Sequence, residues 1–326
     1  LGSLATRIQQ HRGTNDVGQT PDIEAKQLKS PRLYHTLRTG AVLASWAEDS
    51  MDLSDTWNSR ADKLKTAINV HCWDGSYGAF KDNATDTTLH PQDANSMAIL
   101  FNVVDADRAI SISNRLTENW TPIGAVAPEL PDNIASFISS FEIQSHFVVQ
   151  KPDRALDLIR RSWGWYLNNP NGTESTVIEG YLANGTFGYR SSRGYGYDAS
   201  YVSHAHGWSS GPTSALTEYI VGLSVTSLLG LTWAISPQFA DLEFAEAGFM
   251  TSIGRFQASW RNKSDHYTLN FTVPGGTSGS LTLPYVTASK KPLITINGNQ
   301  VMRNVVYADD TATFGVEGGS YNVIVR

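Results

Sequence analysis

Apolar residues fall at helical spacing from Leu33 onward. Leu33, Leu37, Ala41 and Ala44 share one face, and after an Asp/Ser break Trp57, Ala61, Leu64 and Ile68 repeat the spacing. Ser54 or Asp55 is placed to cap the second helix, so the two form a hairpin ending at His71-Cys-Trp73-Asp-Gly75. A polar loop over 75–89 follows. Further helices are predicted from Pro91-Gln92-Asp93 through Phe101, and over 105–116, 135–149 and 153–167. Another starts near Pro212 and carries Ala215, Leu216, Tyr219, Ile220 and Leu223. Residues 1–31, with Gly2, Gly13, Gly18, Pro21 and Pro31, read as a polar loop segment.

One short motif repeats. Asp107-Arg-Ala-Ile110 and Asp153-Arg-Ala-Leu156 each open the second helix of a pair, at the interval expected of stacked two-helix units. Coincidence between short helix starts is the plain alternative. With the first hairpin, the pattern favours a toroid of α-hairpins, with its longest loops (71–90, 119–133 and 168–211) on one side.

Beyond this the period changes to two. Phe256–Trp260, His266–Val273, Ser280–Val286, Leu293–Ile296 and Tyr321–Val325 alternate or run β-branched, separated by Pro274-Gly-Gly276 and Asn297-Gly298 turns. The expected organisation is a polar segment at 1–31, a helical domain at 32–235 and an antiparallel β-sandwich at 236–326, with the change falling within 224–245.

Charge narrows the functional classes. A formal net charge of -6 and the lack of a dense Lys/Arg cluster argue against nucleic acid as a partner. No apolar run reaches the roughly 20 residues that span a bilayer, so no membrane partner is expected. Cys72 is the sole cysteine, which excludes an intrachain disulfide. The histidines show no ligand-like helical spacing with carboxylates; neither a metal nor a cofactor is expected. Asn83, Asn119, Asn171, Asn184, Asn262 and Asn270 each head an Asn-x-Ser/Thr sequon. Six together favour a secreted, glycosylated protein. Leu1 then reads as a processing site or a cut through a longer chain.

The stretch from Thr176 to Trp208 mixes a carboxylate (Glu179), two histidines (His204, His206), aromatics and glycines between helical segments. That mixture suits a pocket for a polar ring, and points to carbohydrate as the ligand. Tryptophans such as Trp163 and Trp208 offer planes that suit the apolar face of a pyranose, and core packing is the equal alternative for each.

The order of motifs then resembles a known family. Ser140-Phe141-Glu142, Arg154-Ala-Leu156, Ile159-Arg160-x-x-Trp163-Gly164, Thr176-x-x-Glu179 and His206-Gly-Trp208-Ser-x-Gly211-Pro212 are similar to glycoside hydrolase family 78, the α-L-rhamnosidases. Downstream, Gly230-Leu-Thr-Trp233-x-Ile235-x-Pro237, Asp241-Leu242 and Gly254 before Trp260 resemble that family's passage into its C-terminal β-domain. The resemblance spans 32–260. It implies an (α/α)6 barrel with an appended β-sandwich, and inverting removal of terminal α-linked L-rhamnose. It places the general base at Glu179 and a substrate-contacting histidine at His206, with His204 the rival in a shifted register. Ile178 stands where the family usually has tryptophan.

The general acid that the family carries upstream, in an acidic motif with arginine and tryptophan, is not matched. Asp16, Asp22 and Glu24 lie in different company, and about seven of the twelve barrel helices are visible. The expectation is the C-terminal half of a barrel plus its sandwich, completed by an N-terminal half of the same protein, or a chain that has lost catalysis. Two other carboxylates are candidates: Asp93 as a helix cap, and Glu142 as a semi-buried structural group or an acid. A non-catalytic carbohydrate-binding remnant and a polysaccharide lyase using Tyr195, Tyr197, His206 and Arg190 are the competing functions.

Overall fold

The computed structural model describes residues 31–47, 51–85, 87–287, 290–301 and 303–326. The polar segment expected at 1–31 lies, but for Pro31, outside the described residues, as do Asp16, Asp22 and Glu24. The chain divides into two compact units between His90 and Pro91.

The first unit is the predicted hairpin: α1 (Pro31–Trp46) and α2 (Met51–His71), followed by the short strands β1 (Trp73–Asp74) and β2 (Ala79–Phe80), which pair antiparallel. Ala41, Ala44, Ala61 and Ile68 are buried, as their spacing requires. Arg38 ties the two helices together, donating to Asn58 Oδ1 at 2.8 Å and pairing with Asp62. Cys72 is a buried free thiol.

The second unit begins with α3 (Gln92–Leu100) and α4 (Ala106–Leu116). Asp105 caps α4 by accepting from the Arg108 N–H. Two short hairpin strands, β3 (Trp120–Thr121) and β4 (Gly124–Ala125), follow, and β5 (Asn133–Ala135) leads directly into α5 (Ser136–Val148). Helix α6 (Pro152–Ile159) runs on through a π-turn at Arg160–Gly164 to Leu167. Strand β6 (Gly180–Leu182) pairs antiparallel with β5. Helix α7 (Gly211–Ala215) continues as a π-turn to Val221 and is closed by Gly222 at φ 82°. That stop demands glycine: an added Cβ would lie 2.3 Å from the Ser236 carbonyl carbon.

Two sheets complete the unit. One is β14–β13–β17–β11–β10–β9 and the other β15–β16–β12–β8–β7 in spatial order. Their strands are β7 (Leu223–Val225), β8 (Thr232–Ile235), β9 (Phe244–Thr251), β10 (Gly254–Asn262), β11 (Tyr267–Thr272) and β12 (Ser278–Pro284). The remainder are β13 (Ile294–Ile296), β14 (Asn299–Gln300), β15 (Val306–Ala308), β16 (Thr311–Glu317) and β17 (Ser320–Val325). Helices followed by a sandwich are therefore present, with two departures from expectation. Strands β7 and β8 join the second sheet from the helical side of 235/236. The sandwich is also not wholly antiparallel, because β8 and β12 run parallel; the chain crosses to the other sheet through β9–β11 before returning beside β8, as a parallel pair requires.

One core joins helices to sheets. Ile143, Phe147 and Leu158 belong to the same buried cluster as Trp233, Trp260 and Tyr267. The Trp260 indole N–H donates to the Ile220 carbonyl at 2.8 Å, and Gln238 donates to the Phe147 carbonyl at 3.2 Å. Helix α7, through the π-turn that continues it, thus meets the inner face of β10. That packing fixes the segment before α7, where Glu179 and the histidines lie.

Candidate active site

The segment 177–179 is held on both sides. The Ser136 N–H donates to the Glu179 carbonyl at 3.3 Å, next to the β5–β6 pair. On the other side the Glu179 N–H donates to Ser203 O, and the His206 N–H to Val177 O, both at 2.8 Å. A ribbon results, and along it side chains alternate. Ile178 is 1% exposed in a core of Ile134, Tyr166, Tyr181 and Val202, whereas Glu179 turns outward and is half-buried. The loops 119–133 and 168–211 therefore converge here.

Each carboxylate oxygen of Glu179 accepts one hydrogen bond. Oε1 takes the Tyr195 hydroxyl at 2.6 Å, and Oε2 takes the Ser203 N–H at 3.3 Å. A carboxylate has about four acceptor positions, so both oxygens keep capacity for a water or a substrate hydroxyl. The bond to Glu179 raises the Tyr195 phenol above its ordinary range. The Arg190 guanidinium lies 5.7 Å from the Tyr195 ring centroid, and the Tyr201 ring 5.9 Å away. Burial pushes Tyr189 up to about 12, so it stays neutral. Its ring covers Gly180, where a Cβ would come within 2.5 Å; the glycine after Glu179 is there for this close approach.

His206 and Trp208 come together. The indole N–H of Trp208 donates to His206 Nε2, and the ring centroids are 5.2 Å apart. Trp208 is 65% exposed and stacks on Phe137 of α5 at 5.2 Å, leaving a broad indole face to solvent. Trp163 is placed elsewhere. It is 6% exposed, lies in the main core, and donates its N–H to the Ser209 carbonyl at 2.7 Å. It braces the entry to α7 and offers no face to a sugar. His204 is bound through Nδ1 to the Tyr166 hydroxyl at 2.9 Å.

The other carboxylates are structural. Glu142 is fully buried rather than semi-buried: Oε1 accepts from the Trp120 indole at 2.6 Å and meets His146 Nε2 at 3.3 Å, while Oε2 accepts from Gln92 at 2.6 Å. His146 Nδ1 meets the Ser113 hydroxyl, which also accepts from Arg154, so a buried polar network ties α3, α4, α5 and α6 together. Asp93 does not cap α3 alone. Its Oδ1 accepts from Ala94, but the Gln92 and Asp93 N–H groups are met by Glu129, at 2.8 and 3.1 Å. Burial, and then the charge of Asp93, raise the Glu129 carboxyl.

The pairing of Tyr195 with Glu179 was not expected; Tyr195 figured only among the residues of the lyase alternative. The role of Glu129 was missed altogether. Its partners lie 36 and 37 residues away, and no local pattern signals such a cap.

Comparison with known proteins completes the picture. Residues 231–293 match the bacterial α-L-rhamnosidase C-terminal domain model. No curated protein sequence matches the chain. Among solved structures, the α-L-rhamnosidase of Dictyoglomus thermophilum superposes with a TM-score of 0.68 at 16% identity, covering 90% of this chain and 31% of its own. The Streptomyces avermitilis α-L-rhamnosidase, complexed with L-rhamnose, gives 0.67 at 16% identity, covering 90% and 26%. The family 78 rhamnosidase of Bacillus sp. GL1 gives 0.55 at 24% identity, covering 70% and 23%. The chain thus spans less than a third of the length of each of these relatives. Residues 231–293 resemble the α-L-rhamnosidase C-terminal domain, and the chain has the fold of the C-terminal part of the family 78 α-L-rhamnosidases.

Proposed function

We propose that this chain is the C-terminal part of a secreted glycoside hydrolase that removes terminal α-L-rhamnose with inversion, and that Glu179 is its general base. The observation that carries this reading is the Glu179 carboxylate: oriented by Tyr195 and Ser203, half-exposed, and on the same ribbon as His206. In the inverting reaction one carboxyl protonates the departing glycosidic oxygen and the other takes a proton from water, whose oxygen attacks the anomeric carbon from the opposite face. Glu179 serves the water. The protonating acid belongs to the N-terminal half of the same protein, the partner that this chain requires. Trp208 supplies a stacking plane for the sugar and His206 a polar contact, and no metal or cofactor enters.

The likeness to α-L-rhamnosidases supports the substrate class, and the sequons support the extracellular setting. In the longer protein Glu179→Gln should lower turnover of an aryl α-L-rhamnoside by roughly 10²–10⁴-fold, with the circular-dichroism spectrum unchanged. Near-normal turnover would remove Glu179 as base.

A further inference from the structure

The structure assigns Asn184, in the turn that follows β6, as a site of N-linked glycosylation. This rests on the extracellular reading above and singles out one sequon of the six. Asn184-Gly-Thr186 forms the turn that follows β6: the Gly185 N–H donates to Leu182 O and the Leu182 N–H to Thr186 O, both at 2.9 Å. Asn184 Oδ1 accepts both from the Thr186 N–H at 3.0 Å and from its hydroxyl at 2.8 Å. The side chain is exposed, and among the described residues Nδ2 has no hydrogen-bond partner. These bonds span two residues, so the same turn is available to the chain before it folds.

The other sequons differ. Asn83 is closed by its threonine in the same way, but its Nδ2 donates to Asp82 at 3.1 Å. Asn270 lies within the six-stranded sheet with Oδ1 bound to the Asn322 amide at 2.8 Å. Asn119 and Asn262 are half-buried, and the hydroxyl of the Asn171 sequon, that of Thr173, pairs with Thr176. A glycan is bulky and must point into solvent, a requirement that the Asn184 turn meets with a fixed backbone.

In the transfer, Nδ2 of Asn184 bonds to the anomeric carbon of an oligosaccharide carried on a polyprenyl diphosphate. The bond from that carbon to the diphosphate oxygen breaks, polyprenyl diphosphate departs, and Nδ2 loses one proton. No oxidant or reductant is needed. The glycan is then carried five residues beyond Glu179 in the chain, past the end of β6.

The test is peptide mapping of the full-length protein recovered from the medium of a secreting eukaryotic host. Peptide N-glycosidase in heavy-oxygen water converts each glycosylated asparagine to labelled aspartate. The expected result is label at residue 184, lost in Thr186→Ala and retained in Thr186→Ser. Label at other sequons with residue 184 bare would overturn the assignment and leave secretion standing. No label at any sequon of the protein in the medium would overturn the assignment alone, and failure of the protein to reach the medium would overturn the extracellular reading with it.

Discussion

The Tyr195 hydroxyl donates to Glu179 Oε1 at 2.6 Å across sixteen residues of a glycine- and tyrosine-rich loop. The bond is charge-assisted, a class that contributes about 1.5–3 kcal/mol. Tyr195→Phe in the full-length protein should therefore lower kcat/KM for an aryl α-L-rhamnoside by roughly one to two orders of magnitude, with the circular-dichroism spectrum unchanged. An unchanged kcat/KM would show that Ser203 alone holds the carboxylate.

Gly180 is constrained by the Tyr189 ring on one side and the Ile134 carbonyl on the other, 2.5 and 2.6 Å from an added Cβ. Gly180→Ala should shift the Glu179 ribbon and cost about 1–3 kcal/mol, as overpacking does. The companion change Tyr189→Ala with Gly180→Ala should recover only part of this, because the backbone carbonyl remains. Urea unfolding of the two variants measures the difference.

The Glu142 network predicts a large effect on stability. Removing one member of a buried, hydrogen-bonded charged group typically costs about 3–5 kcal/mol, and Glu142→Ala leaves the Trp120 and Gln92 donors unmet as well. Denaturant unfolding should show a loss of that size. By contrast, the two-pronged pair of Arg160 with Asp241, at 2.8 and 2.9 Å, is more than half exposed, and Arg160→Ala should cost under about 1 kcal/mol and less at high salt.

A pH effect belongs to the first unit. The Ser76 hydroxyl, then His90 and the Tyr77 N–H, hold the Asp74 carboxyl well below the usual carboxylate range. A depressed value in the folded state means that the contribution is fully present above the unfolded value of about 3.9. It is lost as pH falls through the folded value. Protection of the Ser76 and Tyr77 amides, taken relative to the intrinsic exchange rate at each pH, should fall as pH drops through the folded value in the native protein and show no such step in Asp74→Asn.

The helices were legible because each buries one stripe: Ala109, Ile112 and Leu116 of α4 repeat at three and four residues and are all buried. Strand β9 was not, since it is the edge of its sheet and alternates between exposed and half-buried positions; no residue in it is fully enclosed to mark a core face. Glu179 and His206 were singled out through motif order, and backbone bonds place both on one ribbon. Trp163 shows the limit of composition, since a tryptophan that stacks on sugar and one that braces a helix look alike in sequence. The same holds for Glu129, Tyr195 and Phe137, whose roles arise only when distant loops meet.

The most direct test of the account is rhamnose release from an aryl α-L-rhamnoside by three proteins: this chain alone, the full-length product, and full-length Glu179→Gln. The account predicts activity in the full-length protein only, with loss in the variant. Activity in this chain alone would mean that an acid lies within residues 1–326, and full activity in Glu179→Gln would contradict the assignment of the base.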